Sequence, residues 1–374
     1  MKDQDRNDRE SLEEIQAETT VSKNQTEQKQ HKRRVRYKGT HPRSYQEKYK
    51  ELQPEKYPET IEKVIQKGGT PVGMHISICV KEILDFLQIQ PGQKGLDATL
   101  GYGGHTKEML KCLQGQGHLY ALDVDPIESV KTKERLEKAG YGEEILTIRQ
   151  MNFADIDQIA REAGPFDFVL ADLGVSSMQI DNLERGFTYK KEGPLDLRLN
   201  PQKGVSAAER LKEVTEEELA GMLWENSDEP YAEEIAATVM EKLRKGEPVE
   251  TTIQLQKAIE EALSFLPERE QKEAVKKSCQ RTFQALRIDV NSEFEVLYAF
   301  MEKLPAALAP GGRVAILTFH SGEDRIVKKA FKELKRAGIY SEIAQDVIRP
   351  SAEECTRNSR ARSTKMRWAV RAKE

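Results

Sequence analysis

Two short segments in the first half of the chain carry residues that could bind a nucleotide. Residues 97–105 (DATLGYGGH) place Gly101, Gly103, Gly104 and His105 where a predicted strand turns into a helix. Glycines there let the backbone approach a ligand closely, and a helix start offers free N–H groups. The spacing is G-x-G-G, because Thr106 stands where the third glycine of a dinucleotide fingerprint belongs. The fingerprint is therefore incomplete.

The second segment adds an acidic residue at the tip of an apolar strand. Asp123 lies 22 positions after Gly101, where a carboxylate can accept hydrogen bonds from both ribose hydroxyls of an adenosine. The nearby Asp125 is expected to cap the next helix. Together the two turns suit S-adenosylmethionine as well as NAD, because the methyl donor has no pyrophosphate that needs the third glycine.

Two later turns add further candidates. Phe153 follows a predicted strand and could lie along an adenine face, with core packing as the equal alternative. Asp172 ends an apolar strand, and Leu173, Gly174 and Gln179 follow it. This is where the motif of methyltransferases that act on exocyclic amines would lie; a plain polar turn is the other interpretation.

A parallel sheet is needed to bring these four turns together. From about residue 75, short apolar runs alternate with amphipathic stretches, which is typical of βαβ units. The pattern predicts a helix over 76–88, strands near 94–99, 118–123, 145–150 and 167–172, a helix at 291–307, a turn at 310–312, a strand over 313–318 and a helix after Ser321. Ligands of such sheets bind beyond the carboxyl ends of the strands, where all four turns lie.

The alternation is interrupted in the second half of the chain. Between about 196 and 290 the pattern is entirely helical, with capping signals at 206–209 and 215–218 and breaks at Gly246, Pro248 and Pro267. The predicted organisation is an α/β Rossmann-like domain over 71–195 and 291–374 with an all-helical insertion domain over 196–290.

The N-terminal segment differs from the rest in composition. Residues 1–70 are mostly polar and charged, so we expect a disordered extension. Within it, residues 31–38 contain five basic residues and Tyr37, which suits RNA binding or a solvated tail equally.

The charge is unevenly distributed along the chain. The 374 residues include 59 basic and 63 acidic ones, for a formal charge of −4. Residues 1–70 contain 16 basic and 13 acidic residues, and residues 349–374 contain eight and three. The near-neutral total hides two basic ends and an acidic middle, so it does not argue against a nucleic-acid partner.

Composition also bears on compartment and metal binding. No apolar run is long enough to cross a membrane and no signal peptide is present, so a cytoplasmic protein without membrane contact is expected. The cysteines form no C-x-x-C pair; they are Cys79, Cys112, Cys279 and Cys355. Buried reduced thiols are expected, with no disulfide framework, zinc site or other metal.

Several separated blocks resemble those of the bacterial 16S rRNA cytosine-N4 methyltransferases. They are GYGGHT at 101–106, ALDVDP at 121–126, DLGVSS at 172–177, ERGFTY at 184–189, GPLDLR at 193–198, RTFQALRI at 281–288, GGRVAILTFHS at 311–321, EDRIVK at 323–328 and NSRARS at 358–363. This resemblance, over about residues 75–371, implies a Rossmann-like S-adenosylmethionine-dependent methyltransferase with a helical insertion that recognises substrate. The implied reaction is methylation of N4 of a cytosine in the decoding region of 16S rRNA, in the small ribosomal subunit.

The resemblance also implies which residues bind the methyl donor. Carried onto matching positions, they are Gly103, Gly104, His105, Asp123, Phe153, Asp172 and Gln179. The chain departs from the family at Gly322, where a leucine is usual.

Cytosine N4 is a poor nucleophile, because its lone pair is delocalised into the ring. Hydrogen-bond acceptors at the amine hydrogens would favour tetrahedral geometry; the Asp172 carboxylate or the Leu173 and Gly174 carbonyls are the candidates, with proton loss after transfer. His320 and Ser321 could hold the cytosine ring or ribose, although Ser321 with Asp324 also fits a helix-capping pair.

The target base must leave its RNA strand to reach such a pocket, so RNA contacts are expected around it. The residues predicted for substrate and RNA are Arg185, Asp196, Arg198, Ser321, Arg360, Arg362 and Lys365. Alternatives are an NAD-dependent oxidoreductase, a paralogue that methylates another RNA cytosine, and a non-catalytic RNA-binding ribosome assembly factor. The sequence leaves a homodimer open.

Overall fold

A seven-stranded sheet forms the centre of the computed structural model, which describes residues 77–374. The strands are β1 (Lys94–Asp97), β2 (His118–Asp123), β3 (Leu146–Gln150), β4 (Phe166–Asp172), β5 (Leu308–Thr318), β6 (Tyr340–Ile343) and β7 (Lys365–Arg371). Their order is β3-β2-β1-β4-β5-β7-β6. The first five strands in that order run parallel, and β7 is antiparallel to both of its neighbours.

Helices surround the sheet and fill a long interval between β4 and β5. Those of the sheet region are α1 (Val80–Leu87), α2 (Gly104–Leu113), α3 (Pro126–Lys138), α4 (Ile156–Ala163), α5 (Ser177–Asp181), α11 (Glu293–Ala307), α12 (Ser321–Arg336) and α13 (Ala352–Arg357). Those of the interval are α6 (Ala207–Glu213), α7 (Glu216–Ser227), α8 (Ala232–Arg244), α9 (Thr252–Ala262) and α10 (Glu268–Asn291). Short 3₁₀ turns occupy Phe153–Asp155, Leu183–Arg185 and Ser359–Ser363.

The predicted α/β Rossmann-like fold is confirmed. Parallel strands and intervening helices place the carboxyl ends of β1, β2, β4 and β5 at one edge of the sheet. Apolar side chains fill both faces of the sheet; one face is centred on Phe166 and Phe300, the other on Leu119 and Phe168. This packing holds the edge rigidly.

The start of β5 differs from the sequence prediction. A turn was expected at 310–312 with the strand beginning at 313, but the strand begins at Leu308. Its pairing with β4 shifts from Phe166↔Leu308 to Phe168↔Arg313, so the proline and glycines form a bulge inside the strand. A Cβ on Gly312 would lie 2.9 Å from the Phe166 carbonyl oxygen, so this close approach requires glycine.

The helical interval has a hydrophobic core of its own, built from residues between Leu195 and Leu286. Capping boxes start α6 at Ser206 and α7 at Thr215, as predicted. Helix α8 ends before Gly246, and Pro267 precedes α10, so the predicted breaks are confirmed as well. Treating 196–290 as a separate domain stays a prediction.

Three further expectations concern the surface and the termini. The N-terminal extension, with residues 31–38, lies outside the described residues. All four cysteines are free thiols, but only Cys79 and Cys279 are fully buried, whereas Cys112 and Cys355 are partly exposed. Within residues 77–374, every helix is too short or too polar to span a bilayer.

Candidate functional site

The glycine-rich turn after β1 adopts a backbone that favours glycine. Gly101 and Gly103 have φ angles of 48° and 80°, in the left-handed region. Gly103 is the N-cap of α2, and a Cβ there would lie 2.7 Å from Thr132 Cγ2 on α3. Gly104 then begins the helix. The turn thus points the free N–H groups of α2 toward the carboxyl edge of the sheet.

Asp123 closes this turn from the neighbouring strand. Its Oδ2 accepts a hydrogen bond from the Gly101 N–H at 2.8 Å, and its Oδ1 accepts one from the Asp125 N–H at 2.8 Å. Burial raises the pKa of Asp123 to about 6, although the two N–H groups favour the carboxylate. Each carboxylate oxygen retains a lone pair, so the group can also accept the ribose hydroxyls predicted from its position.

Asp125 is buried and holds several segments together. Its Oδ1 accepts hydrogen bonds from the Ile127 and Glu128 N–H groups, which confirms the predicted cap of α3. Its Oδ2 accepts from Gln179 Nε2 at 3.0 Å and from Arg185 Nη1 at 2.7 Å.

The Arg185 prediction needs correction. This residue was expected to contact RNA, but only 4% of it is exposed. Its Nη2 donates to the carbonyl oxygens of Arg198 and Leu199, and its Nη1 pairs with Asp125. The guanidinium therefore stabilises the protein interior, where a buried cation needs a paired carboxylate.

Gln179 also has internal partners, because its Oε1 accepts the Ser176 N–H in the capping box of α5 while its Nε2 binds Asp125. Contact of Gln179 with the methyl donor stays a prediction.

Asp172, at the end of β4, has an unsatisfied oxygen. Its Oδ1 is buried without a hydrogen-bond partner among the described residues. Its Oδ2 lies 3.4 Å from His105 Nδ1. Burial raises the pKa of Asp172 to about 6, with His105 opposing and Asp97 and Glu323 reinforcing the shift. A carboxyl at the sheet edge with one acceptor oxygen left unpartnered by the described residues is the feature expected of a group that meets a ligand.

His105 lies between Asp172 and the Ile78 carbonyl oxygen. His105 Nε2 lies 2.9 Å from the Ile78 carbonyl oxygen, which can only accept, so Nε2 carries a hydrogen. Its Nδ1 faces Asp172 Oδ2 at 3.4 Å, so the imidazole connects the Asp172 carboxyl to the main chain before α1.

Two residues that sequence reasoning missed support Asp172. Thr99 Oγ1 accepts the Asp172 N–H at 2.6 Å. Asp97 is fully buried, accepts the Thr106 hydroxyl at 2.6 Å, and has a pKa that burial raises. Both lie in the quoted segment 97–105, and their position at a strand end is the signal that could have identified them.

The turn after Asp172 follows the prediction in position. Leu173 is buried and donates its N–H to the Leu317 carbonyl oxygen. Gly174 has a φ of 88°, and a Cβ on it would lie 3.6 Å from Phe319 Cδ2. Left-handed geometry at Gly174 turns the chain sharply at the sheet edge, beside β5.

His320 lies in a cluster of buried charges after β5. Neither ring nitrogen has a hydrogen-bond partner among the described residues, and Nε2 is 3.3 Å from Glu323 Oε1. Glu323 Oε2 accepts the Phe319 N–H at 2.9 Å. Burial alone would raise the pKa of Glu323. The His320 side chain, the Phe319 N–H and Arg287 outweigh burial, so the pKa is lowered. Arg287 in turn binds both oxygens of Glu293, at 2.8 and 2.9 Å.

The cluster brings His320 close to the ring of Phe294, whose centroid is 5.9 Å away. Glu323 also raises the pKa of Asp172, so the two sites are electrostatically connected. Sequence reasoning missed Glu323, Arg287 and Glu293, although two of them lie within the blocks at 281–288 and 323–328.

The alternative capping role of Ser321 is wrong. The N-cap of α12 is His320, and no side chain caps it. Asp324 instead binds Arg367 Nε at 2.6 Å and Lys365 Nζ at 3.1 Å. Ser321 is exposed at the first turn, free for the predicted substrate contact, whereas Lys365 is held by Asp324.

The ring of Phe153 packs against the core beside the sheet. Its ring makes an edge contact with Phe300, with centroids 5.2 Å apart at 81°, and it borders the sheet core. The other face of the partly exposed ring leaves the predicted adenine contact open.

The remaining predicted RNA contacts are dispersed. Asp196 and Arg198 form a bidentate pair with each other, and Asp196 raises the pKa of Arg198. Arg362 is exposed, and Arg360 lies 3.7 Å from Asp181 and has one buried nitrogen, Nη1, without a partner. Arg360 and Arg362 thus remain candidates for phosphate contact.

The segment beside Arg198 is held in a strained form that sequence reasoning missed. Leu197 is buried with a φ of 65°. Asn291, at the end of α10, donates to the Leu197 carbonyl and accepts the Leu199 N–H. Positive φ in a branched residue is costly, so this clamp fixes the approach to the site.

Comparison with known proteins shows that this chain is similar to methyltransferases. Residues 73–372 match the family described as the MraW methylase family. A protein named ribosomal RNA small subunit methyltransferase H 1, from Lachnoclostridium phytofermentans, is 70% identical over 342 residues, 91% of this chain and 93% of the relative. A protein of the same name from Agathobacter rectalis is 68% identical over 347 residues, 93% of this chain and 99% of the relative. An rRNA methylase structure from Streptococcus thermophilus shares 12% sequence identity, and the match covers 80% of this chain and 99% of that protein's chain. The TM-score of 0.35 is too low to support a conclusion.

Proposed function

The chain belongs to the MraW methylase family, and from that premise we propose that it methylates N4 of a cytosine in the decoding region of 16S rRNA. It is an S-adenosylmethionine-dependent methyltransferase. The observation that supports the amine acceptor best is Asp172 at the carboxyl edge of the sheet, whose Oδ1 has no hydrogen-bond partner among the described residues.

The residues at the sheet edge fit S-adenosylmethionine. The N–H groups of Gly101 and Gly103 are bound to Asp123 and to the Leu100 carbonyl oxygen, whereas those at the start of α2, from Gly104 onward, are available to a ligand. The Asp123 carboxylate lies at the tip of the next strand. The partly exposed ring of Phe153 can line the adenine, and Gln179 borders the same edge through Asp125. When bound, the donor supplies a methyl group on a positively charged sulfur, which needs no further activation.

The protein must then make the amine nucleophilic. We assign this role to the Asp172 carboxylate, which can accept a hydrogen bond from N4–H and so localise the nitrogen lone pair. The carbonyl oxygens of Leu173 and Gly174 lie in the same turn and can accept the second amine hydrogen. After transfer, the proton on N4 passes to Asp172 or to water.

His320 is suited to hold the cytosine ring. Its Nδ1 has no hydrogen-bond partner among the described residues, and Glu323 Oε1, 3.3 Å from Nε2, orients the imidazole. A hydrogen bond from His320 to an acceptor of the base or ribose would place N4 beside Asp172. Ser321, exposed in the same turn, can contact the ribose or phosphate.

The helical interval, 196–290, is the proposed substrate-recognition domain. Its entry segment carries the Asp196–Arg198 pair, and the clamped Leu197 holds that segment in place. Arg360 and Arg362 are proposed to contact phosphates of the RNA, whereas Lys365 is held by Asp324. The target cytosine must be turned out of its strand to reach Asp172.

Deleting the gene and mapping the modified bases of 16S rRNA by mass spectrometry tests this function. The expected result is the loss of one methyl group from a decoding-region cytosine, restored by the wild-type gene and not by Asp172→Asn. An unchanged cytosine would overturn the rRNA assignment. Full restoration by the Asp172→Asn gene would exclude Asp172 as the essential acceptor of N4–H.

Binding of S-adenosylmethionine to the purified protein, measured by calorimetry, tests the enzyme assignment separately. Saturable binding at a single site is expected. Its absence would contradict a methyltransferase.

A further inference from the structure

Helix α12 carries a one-sided row of positive charge. Its exposed residues include six cations and one carboxylate, Glu333. Five of the cations repeat every three to four residues; they are Arg325, Lys328, Lys329, Lys332 and Arg336. This spacing places them on one face of the helix, and we call this row the α12 stripe. At 1.5 Å per residue it extends about 16 Å.

Four of the five cations of the α12 stripe have no carboxylate partner among the described residues; Arg325 is the exception. Within residues 77–374, no carboxylate pairs with Lys328, Lys329, Lys332 or Arg336. Exposed lysines on α10 are arranged differently, since Lys276 and Lys277 both pair with Glu273. The helix dipole favours cations in the last turn only, so it accounts for Arg336 and not for the lysines at the middle of α12.

The position of α12 relates the stripe to the candidate site. The helix begins at Ser321, directly after His320 and the end of β5. Its opposite face buries Ile326, Val327 and Phe331 against the sheet, which fixes the orientation of the exposed face. A polymer whose base enters the site beside His320 can therefore continue along α12.

The helix whose end contacts the first cation of the row carries an exposed aromatic side chain. Arg325 Nη2 is 3.6 Å from Asp228 Oδ2, at the end of α7. One turn earlier on α7, Trp224 is 60% exposed. Exposed aromatic rings beside cations are the combination that binds unpaired RNA, because bases stack on the ring while phosphates meet the charges.

We propose that the α12 stripe binds the phosphate backbone of the ribosomal RNA strand that carries the target base, and that Trp224 stacks on an unpaired base of that strand. This inference rests on the proposed function. It adds a surface distinct from the tail residues Arg360, Arg362 and Lys365.

The test measures binding to small ribosomal subunits purified from a strain that lacks the gene, by filter binding at several salt concentrations. The variant Lys328→Gln/Lys329→Gln/Lys332→Gln removes three charges. We expect about a tenfold or greater loss of affinity near physiological salt, and a log–log salt slope shallower by about 2. Affinity for S-adenosylmethionine and kcat at saturating subunits should not change.

The matched control is Lys131→Gln/Lys133→Gln/Lys138→Gln on α3, which removes the same charge from another exposed helix outside the helical interval. Replacing the three α12 lysines with arginine should retain affinity. Equal affinities and salt slopes for the two glutamine variants would overturn the proposal. Because binding is measured without turnover, a wild-type protein that binds but does not methylate would contradict only the proposed function.

The aromatic contact has its own pair of variants. Trp224→Ala should weaken subunit binding several-fold without changing the salt slope. Phe265→Ala, which removes a ring that is 61% exposed elsewhere on the helical interval, should leave binding unchanged. Equal behaviour of the two variants would remove Trp224 from the surface.

Discussion

Asp125 and Asp172 are both carboxylates near the carboxyl edge of the sheet, yet their surroundings differ. Asp125 accepts four hydrogen bonds, from two backbone N–H groups, Gln179 and Arg185. Asp172 has one oxygen with no partner among the described residues and the other 3.4 Å from His105. Burial raises the pKa of Asp172 to about 6. Asp125 is instead paired with the Arg185 guanidinium, at 2.7 Å.

The difference separates a structural carboxylate from a reactive one. A buried charge whose partners are all supplied by the protein stabilises the fold and is unavailable to a ligand. A buried charge with a missing partner costs stability, and the cost is retained where a substrate supplies the partner. The following variants test that distinction, beginning with the largest expected effect.

Asp172→Asn should lower kcat for methylation of small ribosomal subunits by about 100- to 10,000-fold, because the charged acceptor of N4–H is lost. The measurement is transfer of labelled methyl groups at saturating substrates. A loss smaller than about tenfold would assign the role to the Leu173 and Gly174 carbonyls instead.

Asp125→Ala should destabilise the protein by about 3–5 kcal/mol, because Arg185 would remain buried without its counter-ion and α3 would lose its cap. Urea denaturation followed by circular dichroism provides the free energy of unfolding. Glu128→Ala, in the same first turn, is the control and should cost far less. A change below about 1 kcal/mol would contradict a structural role for Asp125.

Asp123→Ala should weaken S-adenosylmethionine binding by at least about 100-fold, since it removes two charge-assisted hydrogen bonds to the ribose, each worth about 1.5–3 kcal/mol. Calorimetric titration measures the affinity. Asp157→Ala, which removes an aspartate on α4, is the control. Normal affinity in Asp123→Ala would mean that the ribose contact lies elsewhere.

The stability of Asp172→Asn should depend on pH in a defined direction. The folded-state pKa of about 6 lies above the unfolded value of 3.8, so wild-type stability falls as pH rises through that window. The variant lacks this loss and should be about 1–3 kcal/mol more stable than the wild type at pH 8, with the difference vanishing near pH 3. Thermal unfolding across pH checks both points; lower stability of the variant at pH 8 would contradict the comparison.

His320→Ala should lower kcat by roughly 10- to 100-fold and leave S-adenosylmethionine affinity unchanged, because His320 orients the base and not the donor. Glu323→Gln should produce a smaller loss in the same direction, since it removes the charge that orients the imidazole. Weakened donor binding in either variant would place the cluster on the donor side of the site.

Local signals in the sequence predicted the elements well. The strand over 118–123, the capping boxes at Ser206 and Thr215, and the cap at Asp125 were all foreseen. Caps and strand ends depend on hydrogen bonds between residues two or three apart, so a short window contains the information. The start of β5 was misplaced because the bulge depends on pairing with β4, which is remote in sequence.

The sequence predicted at which strand ends the site residues lie. It predicted their hydrogen-bond and ion-pair partners less well. Asp123, Asp172 and His320 were placed correctly at the sheet edge, and their exposure to a ligand stays a prediction. Arg185 was expected at the RNA and is buried, because nothing near it in the sequence reveals Asp125, 60 residues away. The cluster of Glu323, Arg287 and Glu293 was missed for the same reason.

The sequence alone determined the α/β alternation, the helical interval and the chemical types at each strand end, since these follow from local periodicity and backbone preference. Tertiary structure alone decided which charges are satisfied. Side chains find partners on elements that are remote in sequence. Arg367 binds the Asp324 carboxylate in this way, and Thr99 accepts the Asp172 N–H. Whether a buried carboxylate is saturated or left open depends on that packing, and this is what distinguishes Asp125 from Asp172.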